Sequence, residues 1–360
     1  MKVVLIGVGQ AGGKVTQRLA EFDYEMDFGA VQGAMAVNTA EADLQNLDID
    51  TMLVGRDRVK GHGVGGDNEL GAEIMQEEAP EVMDGIEGRL TTEAEAVVIV
   101  AGLGGGTGSG GAPALARELK RVYDIPVYVL GILPGRDEGS IYQANAGRSL
   151  KTVAREADSL LLVDNDAWHS SGESIEEGFD EINDNIAQRI GLLFASGEVG
   201  AADEYAESVV DSSEIINTLR PGGMAVLGYA SASAGEDAGE NVNTITSATR
   251  NALLTGTSVP NVVKAETALL VVAGEPERIS RKGVERARSW VEEETGSMEV
   301  RGGDFPLESD RLASLVLLGG VERSNRINEF MERAREAQTA EEPRNDPSDA
   351  FQNEELEDLF

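Results

Sequence analysis

The chain is 360 residues long, with 65 acidic residues against 30 basic ones, two histidines and no cysteine. A formal charge of −35 repels nucleic-acid phosphates, and the missing thiols exclude disulfides, thiolate nucleophiles and zinc–thiolate centres. The 41% hydrophobic content is enough for two cored domains. No leader peptide and no apolar run of about 18 residues is present, which points to a protein of the cytoplasm. The acids are spread along the whole chain and lysine is scarce beside arginine. That pattern reads as adaptation to molar salt, where the Debye length shrinks to about 3 Å; an acidic face for a basic partner would gather the charge in one block.

Lys2–Ile6 reads as a first β-strand, and Gly7-Val8-Gly9-Gln10-Ala11-Gly12-Gly13 leads from it into a helix from Lys14 to Phe22. Gly7, Gly9 and Gly12 fit the G-x-G-x-x-G fingerprint in the strand-to-helix setting it requires. A P-loop does not fit, because Val8 and Val15 stand where one needs a glycine and a hydroxyl around Lys14. Strands follow at Ala34–Thr39 and Thr51–Val54, then a glycine-rich segment at Gly61–Glu69. The apolar run Ala96–Ala101 is a buried-strand pattern that feeds Gly104-Gly105-Gly106-Thr107-Gly108-Ser109-Gly110, and after Pro113 a helix spans Ala114–Val122. Strand, glycine loop and helix together present backbone N–H groups and a positive helix end to an anion. Gln10, Ala11, Gly12, Gly13 and Lys14 in one loop, and Gly105, Gly106, Thr107, Gly108 and Ser109 in the other, are therefore the phosphate-binding candidates. The second loop has no lysine, so N–H groups, hydroxyls and a cation must meet the phosphate charge.

Val127–Leu133 is the next buried strand, ended by Pro134, and Leu160–Val163 leads to Asp164-Asn165-Asp166. Asn165 has the donor and acceptor that suit a guanine edge, and equally the make-up of a polar turn. Ser174–Phe194 reads as one long helix, with Ile175, Phe179, Ile182, Ile186, Ile190 and Leu193 on one stripe and Ser174 with Glu177 as a capping box. Asp211 and Glu214 stand three residues apart near a helix start, which on an isolated chain is ordinary capping. Strands at Met224–Ala230, Ala268–Ala273, Met298–Arg301 and Leu312–Leu318 interleave with helices near Asn243–Leu253, Arg278–Glu294 and Arg323–Ala337. His62 and His169 are the only histidines, so no imidazole-built metal site is expected. Residues 338–360 hold Pro343 and Pro347 and read as a disordered linker. Its end, Leu356–Phe360, has the spacing of a short docking helix or of a frayed terminus.

With its glycine loops in this order the chain resembles the tubulin/FtsZ superfamily of polymerising GTPases. Gly104–Gly110 matches that family's loop at every position, and the order of the other segments agrees over roughly residues 1–335. Within the superfamily the likeness is to the archaeal CetZ group, intermediate between tubulin and FtsZ. The resemblance implies a two-domain α/β fold. A doubly wound, mostly parallel GTPase sheet would occupy 1–172, and a long central helix with its connection 173–210. A smaller α/β domain would follow at 211–335, then an acidic disordered tail at 336–360. GTP and GDP are the implied ligands, with Mg²⁺ bridging the β- and γ-phosphates.

The matching positions then take roles. Asn38 lies beside the nucleotide, Gly65, Gly66 and Asp67 (with Asn68) sense the γ-phosphate, and Glu138 contacts the ribose. By the resemblance Tyr142 would lie near the base, in a stretch where FtsZ-type chains carry an arginine, and Asn183 would meet the guanine, with Asp184 its fallback; Asn165 stays open between that edge and a polar turn. Asp211 and Glu214 match the acids of a loop that inserts into the next subunit's nucleotide site and polarises the attacking water. Val209 and Glu214 replace an asparagine and an aspartate of FtsZ-type chains, so the glutamate is tubulin-like and the rate is left open. The implied partner is the chain itself, in a head-to-tail homopolymer serving cell shape or division, with regulators or membrane adaptors on the tail. The alternative is a Rossmann-type NAD or FAD enzyme resting on Gly7–Gly12. It needs an acid at the end of the second strand, which reads Val37-Asn38-Thr39, and it leaves Gly104–Gly110 unexplained.

Overall fold

The computed structural model describes residues 1–167, 175–198, 210–262, 264–322 and 324–340. The first part runs β1 (Val3–Val8), α1 (Gly9–Glu25), β2 (Val31–Asn38), α2 (Glu41–Leu44), β3 (Asp50–Leu53), α3 (Arg56–Val59) and α4 (Asn68–Glu87). It continues through β4 (Ala96–Gly102), α5 (Gly106–Val122), β5 (Val127–Leu133), α6 (Ser140–Glu156), β6 (Ser159–Asp164) and α7 (Ile175–Ser196). These six strands lie parallel in the order β3-β2-β1-β4-β5-β6. Their side chains alternate between two cores, as a period of two demands. Val3 and Leu5 of β1, with Val98 and Val100 of β4, pack with Leu19 of α1 and Ile186 of α7. Ile6, Val8, Val97 and Ile99 pack on the opposite face with Ile74 and Met75 of α4 and Leu115 of α5. A sheet covered by helices on both faces needs the near-continuous apolar strands seen here.

The second part adds α8 (Ser212–Leu219), β7 (Met224–Ser233), α9 (Val242–Leu254), β8 (Ala265–Gly274), α10 (Arg281–Thr295), β9 (Glu299–Pro306), β10 (Arg311–Val321) and α11 (Asn325–Ala340). Its strands join the same sheet in the order β7-β10-β8-β9. The join is narrow, with only Leu160–Met224 and Leu161–Ala225 paired between β6 and β7. Beyond it β10 runs antiparallel to both β7 and β8. The expected fold class is therefore present. The capping box at Ser174, Val209, His169 and the tail beyond Ala340 lie outside the described residues.

Two helices begin earlier than their sequences suggest. α1 starts at Gly9 instead of Lys14, and α5 at Gly106 instead of Ala114. Glycine is a poor helix former, but here backbones touch. A Cβ on Gly12 would sit 2.2 Å from the Val100 carbonyl oxygen, one on Gly108 2.6 Å from that of Gly102, and one on Gly110 2.0 Å from that of Asn68. Pro113 lies inside α5 and has no N–H to give the Ser109 carbonyl four residues back. The Ser149 hydroxyl of α6 donates to that oxygen instead, at 2.8 Å. Helices α4 and α6 are weakly marked in the sequence, since Gly71, Pro80 and Gly85 are poor helix formers in one, and polar Gln143, Asn145 and Ser149 lie on the buried face of the other.

Candidate nucleotide site and the remote acid pair

Parallel strands all end on one side, and the cleft lies there. A cavity of about 750 Å³ opens over the C-terminal ends of β1, β2, β4, β5 and β6, where ligands bind in open α/β sheets. Of the candidates, Gln10, Ala11, Lys14, Asn38, Gly65, Gly66, Gly105, Gly106, Thr107, Gly108, Glu138, Tyr142, Asn165 and Asn183 line it. Gly12, Gly13, Asp67 and Ser109 do not. Gly12 and Gly13 are buried within the first turns of α1. Asp67 caps α4, its Oδ1 accepting from the Glu69 and Leu70 N–H groups at 3.0 Å each. The Ser109 hydroxyl turns back to the Gly105 carbonyl.

At one end of the cleft the N-termini of α1 and α5 converge, so closely that a Cβ on Gly9 would sit 3.0 Å from the Gly108 nitrogen. Gly9 adopts φ +77°, open to glycine at no steric cost. Neither helix has a side-chain cap or an acid in its first turn. Helices α6 and α9 share this, whereas α4, α8 and α10 are capped by Asp67, Asp211 and Ser280. Both cleft helices thus leave first-turn N–H groups for an external acceptor, with their positive dipole ends behind them. Lys14 supplies the cationic side chain among the described lining residues. The Thr39 and Thr107 hydroxyls meet at 2.7 Å. Asn145 joins two loops of the rim, its Nδ2 donating to the Gly66 and Gly104 carbonyls at 2.7 and 3.1 Å.

At the other end stand Glu138, Tyr142, Asn165, Phe179, Asp180 and Asn183. Glu138 Oε1 accepts the Gly135 N–H at 2.7 Å, and Gln143 Nε2 donates to the Gly135 carbonyl at 2.6 Å, which holds this turn rigidly. Asn165 is buried in a single 3₁₀ turn at the end of β6. Asn183 faces the cleft from α7, whereas its neighbour Asp184 accepts from Arg18 Nε at 2.7 Å. Phe179, expected on the buried stripe of α7, is 38% exposed and lines the cleft. Its spacing matched the stripe because a helix face that borders a cavity shares the period of one that borders a core.

Asp211 and Glu214 are absent from the cleft. Asp211 caps α8, its Oδ1 accepting the Glu214 N–H at 3.1 Å. Helix α8 is tied to the opposite end of the sheet, since the Ser212 hydroxyl donates to Glu95, the residue just before β4. The seven residues of β4 separate the two places by on the order of 20 Å. The Ser213 hydroxyl, with backbone N–H groups and Arg301, holds the Asp211 carboxyl below its usual range. Burial, and then the Asp211 charge, pushes Glu214 up. Glu214 Oε2 is buried without a hydrogen-bond partner among the described residues. No three metal-ligating side chains converge among the described residues.

Sequence reasoning missed Asn145, Phe179, Asp180, Asp43 and His62 at the cleft. Asp43 was in reach of it, being five residues past Asn38 and bonded to its Nδ2 at 3.0 Å. Asn145 carried no local signal.

The chain is similar to known proteins over nearly its whole length. The Tubulin/FtsZ family GTPase domain matches residues 2–173, and the tubulin-like CetZ C-terminal domain matches residues 172–336. Tubulin-like protein CetZ2 of Haloferax volcanii is 65% identical over 362 residues, covering 100% of both chains. CetZ1 of the same organism is 51% identical, covering 94% of this chain and 93% of its own. A GTPγS-bound protofilament of CetZ2 from Haloferax volcanii superposes with a TM-score of 0.92, over 95% of this chain and 100% of that one. A GDP-bound CetZ1 monomer from the same organism, 52% identical, gives 0.86 over 94% and 100%. The NAD or FAD enzyme alternative finds no support in any of these. The chain belongs to the tubulin/FtsZ family of cytoskeletal GTPases and, within it, to the tubulin-like CetZ proteins.

Proposed function

We propose that the cleft binds GTP and GDP, and that copies of the chain stack head to tail so that Asp211 and Glu214 of one complete the hydrolytic site of the next. The observation that carries this reading is polarity. The uncapped helix ends and the cleft lie at the C-terminal ends of the strands, and the acid pair lies at the opposite end of the same molecule. A single chain cannot bring the two together, but a stacked neighbour can. The bound states of the two Haloferax relatives, GTPγS in a protofilament and GDP in a monomer, support the same reading.

In this proposal the first-turn N–H groups of α1 and α5, with Lys14, take the phosphates. Glu138 orients the ribose, and Asn165 and Asn183 take the guanine edge. The residues fit a nucleotide in volume and in donor chemistry. Mg²⁺, when bound, would neutralise charge on the phosphates held by Lys14 and the first-turn N–H groups of α1 and α5. Glu214, which holds a proton more readily than an ordinary glutamate, would accept a proton from water, while ionised Asp211 orients it. No helix among the described residues is long and apolar enough to cross a membrane; location in the cytoplasm and a role in cell shape or division belong to the proposal.

The test is turnover against concentration. GTP hydrolysis per molecule is expected to rise with protein concentration as interfaces form, and mixing Glu214→Ala with a variant defective only in nucleotide binding is expected to restore turnover at mixed interfaces. Constant specific activity from dilute to concentrated protein would overturn the shared site.

A further inference from the structure

One buried ionic group is used by nothing above. Arg326, near the start of α11, is 3% exposed, and Asp164, at the end of β6, is fully buried. They form a two-pronged pair, Nε to Oδ2 at 2.5 Å and Nη2 to Oδ1 at 2.9 Å, across 162 positions of sequence. Nη2 also donates to Asp166 Oδ2 at 2.6 Å. The two carboxylates therefore flank Asn165, which lines the cleft, and one guanidinium holds both. The link extends further. Asp166 Oδ1 accepts the backbone N–H of Arg136 at 2.9 Å. The preceding residue, Gly135, donates its N–H to Glu138, the other polar side chain of this end of the cleft.

An ion pair so deeply buried is a costly way to gain stability, because desolvation offsets most of the attraction. What a rigid planar fork does well is fix geometry. We propose that Arg326 is a positioning residue for the base-and-ribose end of the cleft, setting Asn165 through Asp164 and Asp166, and Glu138 through Asp166 and the Arg136–Gly135 turn. This rests on the reading of the cleft as a guanine-nucleotide site. It makes α11, an element of the second half of the chain, part of nucleotide selection. The phosphate end, built from α1 and α5, has no part in this network.

The experiment is titration calorimetry on the full chain with four probes: GDP, inosine diphosphate, 2′-deoxy-GDP and inorganic pyrophosphate. Arg326→Met is expected to weaken GDP about tenfold and to narrow the preference for GDP over the inosine and deoxy analogues, while pyrophosphate binds as in wild type. Arg326→Lys, which keeps one charge but not the fork, is expected to fall between the two. Asp166→Asn spares the buried Arg326–Asp164 pair and is expected to lose mainly the ribose discrimination; it decides the matter if Arg326→Met does not fold. Unchanged discrimination in these variants, with only a lower Tm, would make Arg326 a packing residue. An equal loss for pyrophosphate would likewise overturn the assignment to one end. Wild type that binds no GDP would remove the reading of the cleft on which the inference rests.

Discussion

The proposed roles of Gly106 and Glu214 each turn on a single side chain. Gly106 opens α5 under the loop at residues 64–67, where a Cβ would meet Val64 Cγ2 at 2.5 Å and the Asp67 nitrogen at 3.0 Å. Gly106→Val is therefore expected to lose GTP and GDP binding by at least an order of magnitude while the sheet stays folded, as calorimetry and circular dichroism would register; wild-type affinity would move the phosphates elsewhere. Glu214 offers a test by pH. Its folded carboxyl is raised, so the folded state favours the protonated form, and stability is lost as pH climbs from the ordinary glutamate range through the raised value. Glu214→Gln is expected to have a higher Tm than wild type at pH 7, the gain vanishing below about pH 4, and to hydrolyse no GTP. Asp211 works the other way, its depressed carboxyl adding stability above the ordinary aspartate range and losing it as pH falls.

Among the elements, α5 is the least self-sufficient. Its first turns are glycines, Pro113 interrupts its hydrogen bonds, and α6 repairs the gap through Ser149. Ser149→Ala leaves the buried Ser109 carbonyl without that donor and is expected to cost about 1–3 kcal/mol, read as a fall in the midpoint of urea unfolding. Adding Pro113→Ala returns a backbone N–H to the same oxygen. The double variant is expected to recover part of the loss, giving a non-zero coupling energy in a double-mutant cycle. Strict additivity would show that the hydroxyl is not a substitute for the missing N–H. Helix α8 is shorter and depends on its cap, so Asp211→Ala is expected to lower stability by about 1 kcal/mol beyond any effect on hydrolysis.

Across the whole molecule the charge of −35 is the dominant electrostatic fact. Surface ion pairs such as Arg58 with Glu73 and Glu77 neutralise little of it. Self-repulsion falls as salt screens it, so Tm is expected to rise steeply between dilute buffer and molar KCl. A scanning-calorimetry midpoint that ignores salt would contradict adaptation to a saline interior. Screening also bears on the proposed assembly, since two such chains would have to approach end to end against their shared charge.

The fold class, most strands and the two glycine segments that line one end of the cleft were legible in the sequence, because those features are written locally. Alternation marks a strand, and a run of glycines after a strand marks a place where backbones touch or a ligand approaches. Helices α4 and α6 were hidden, because glycines and a proline lie inside one, and the buried polar residues of the other serve contacts that exist only after folding. Asn145 and Arg326 were hidden for the same reason, their partners lying 41 and 162 positions away. The separation of Asp211 and Glu214 from the cleft was decided by the sheet alone. Strand direction sets which loops share an end, and no spacing along the chain encodes it.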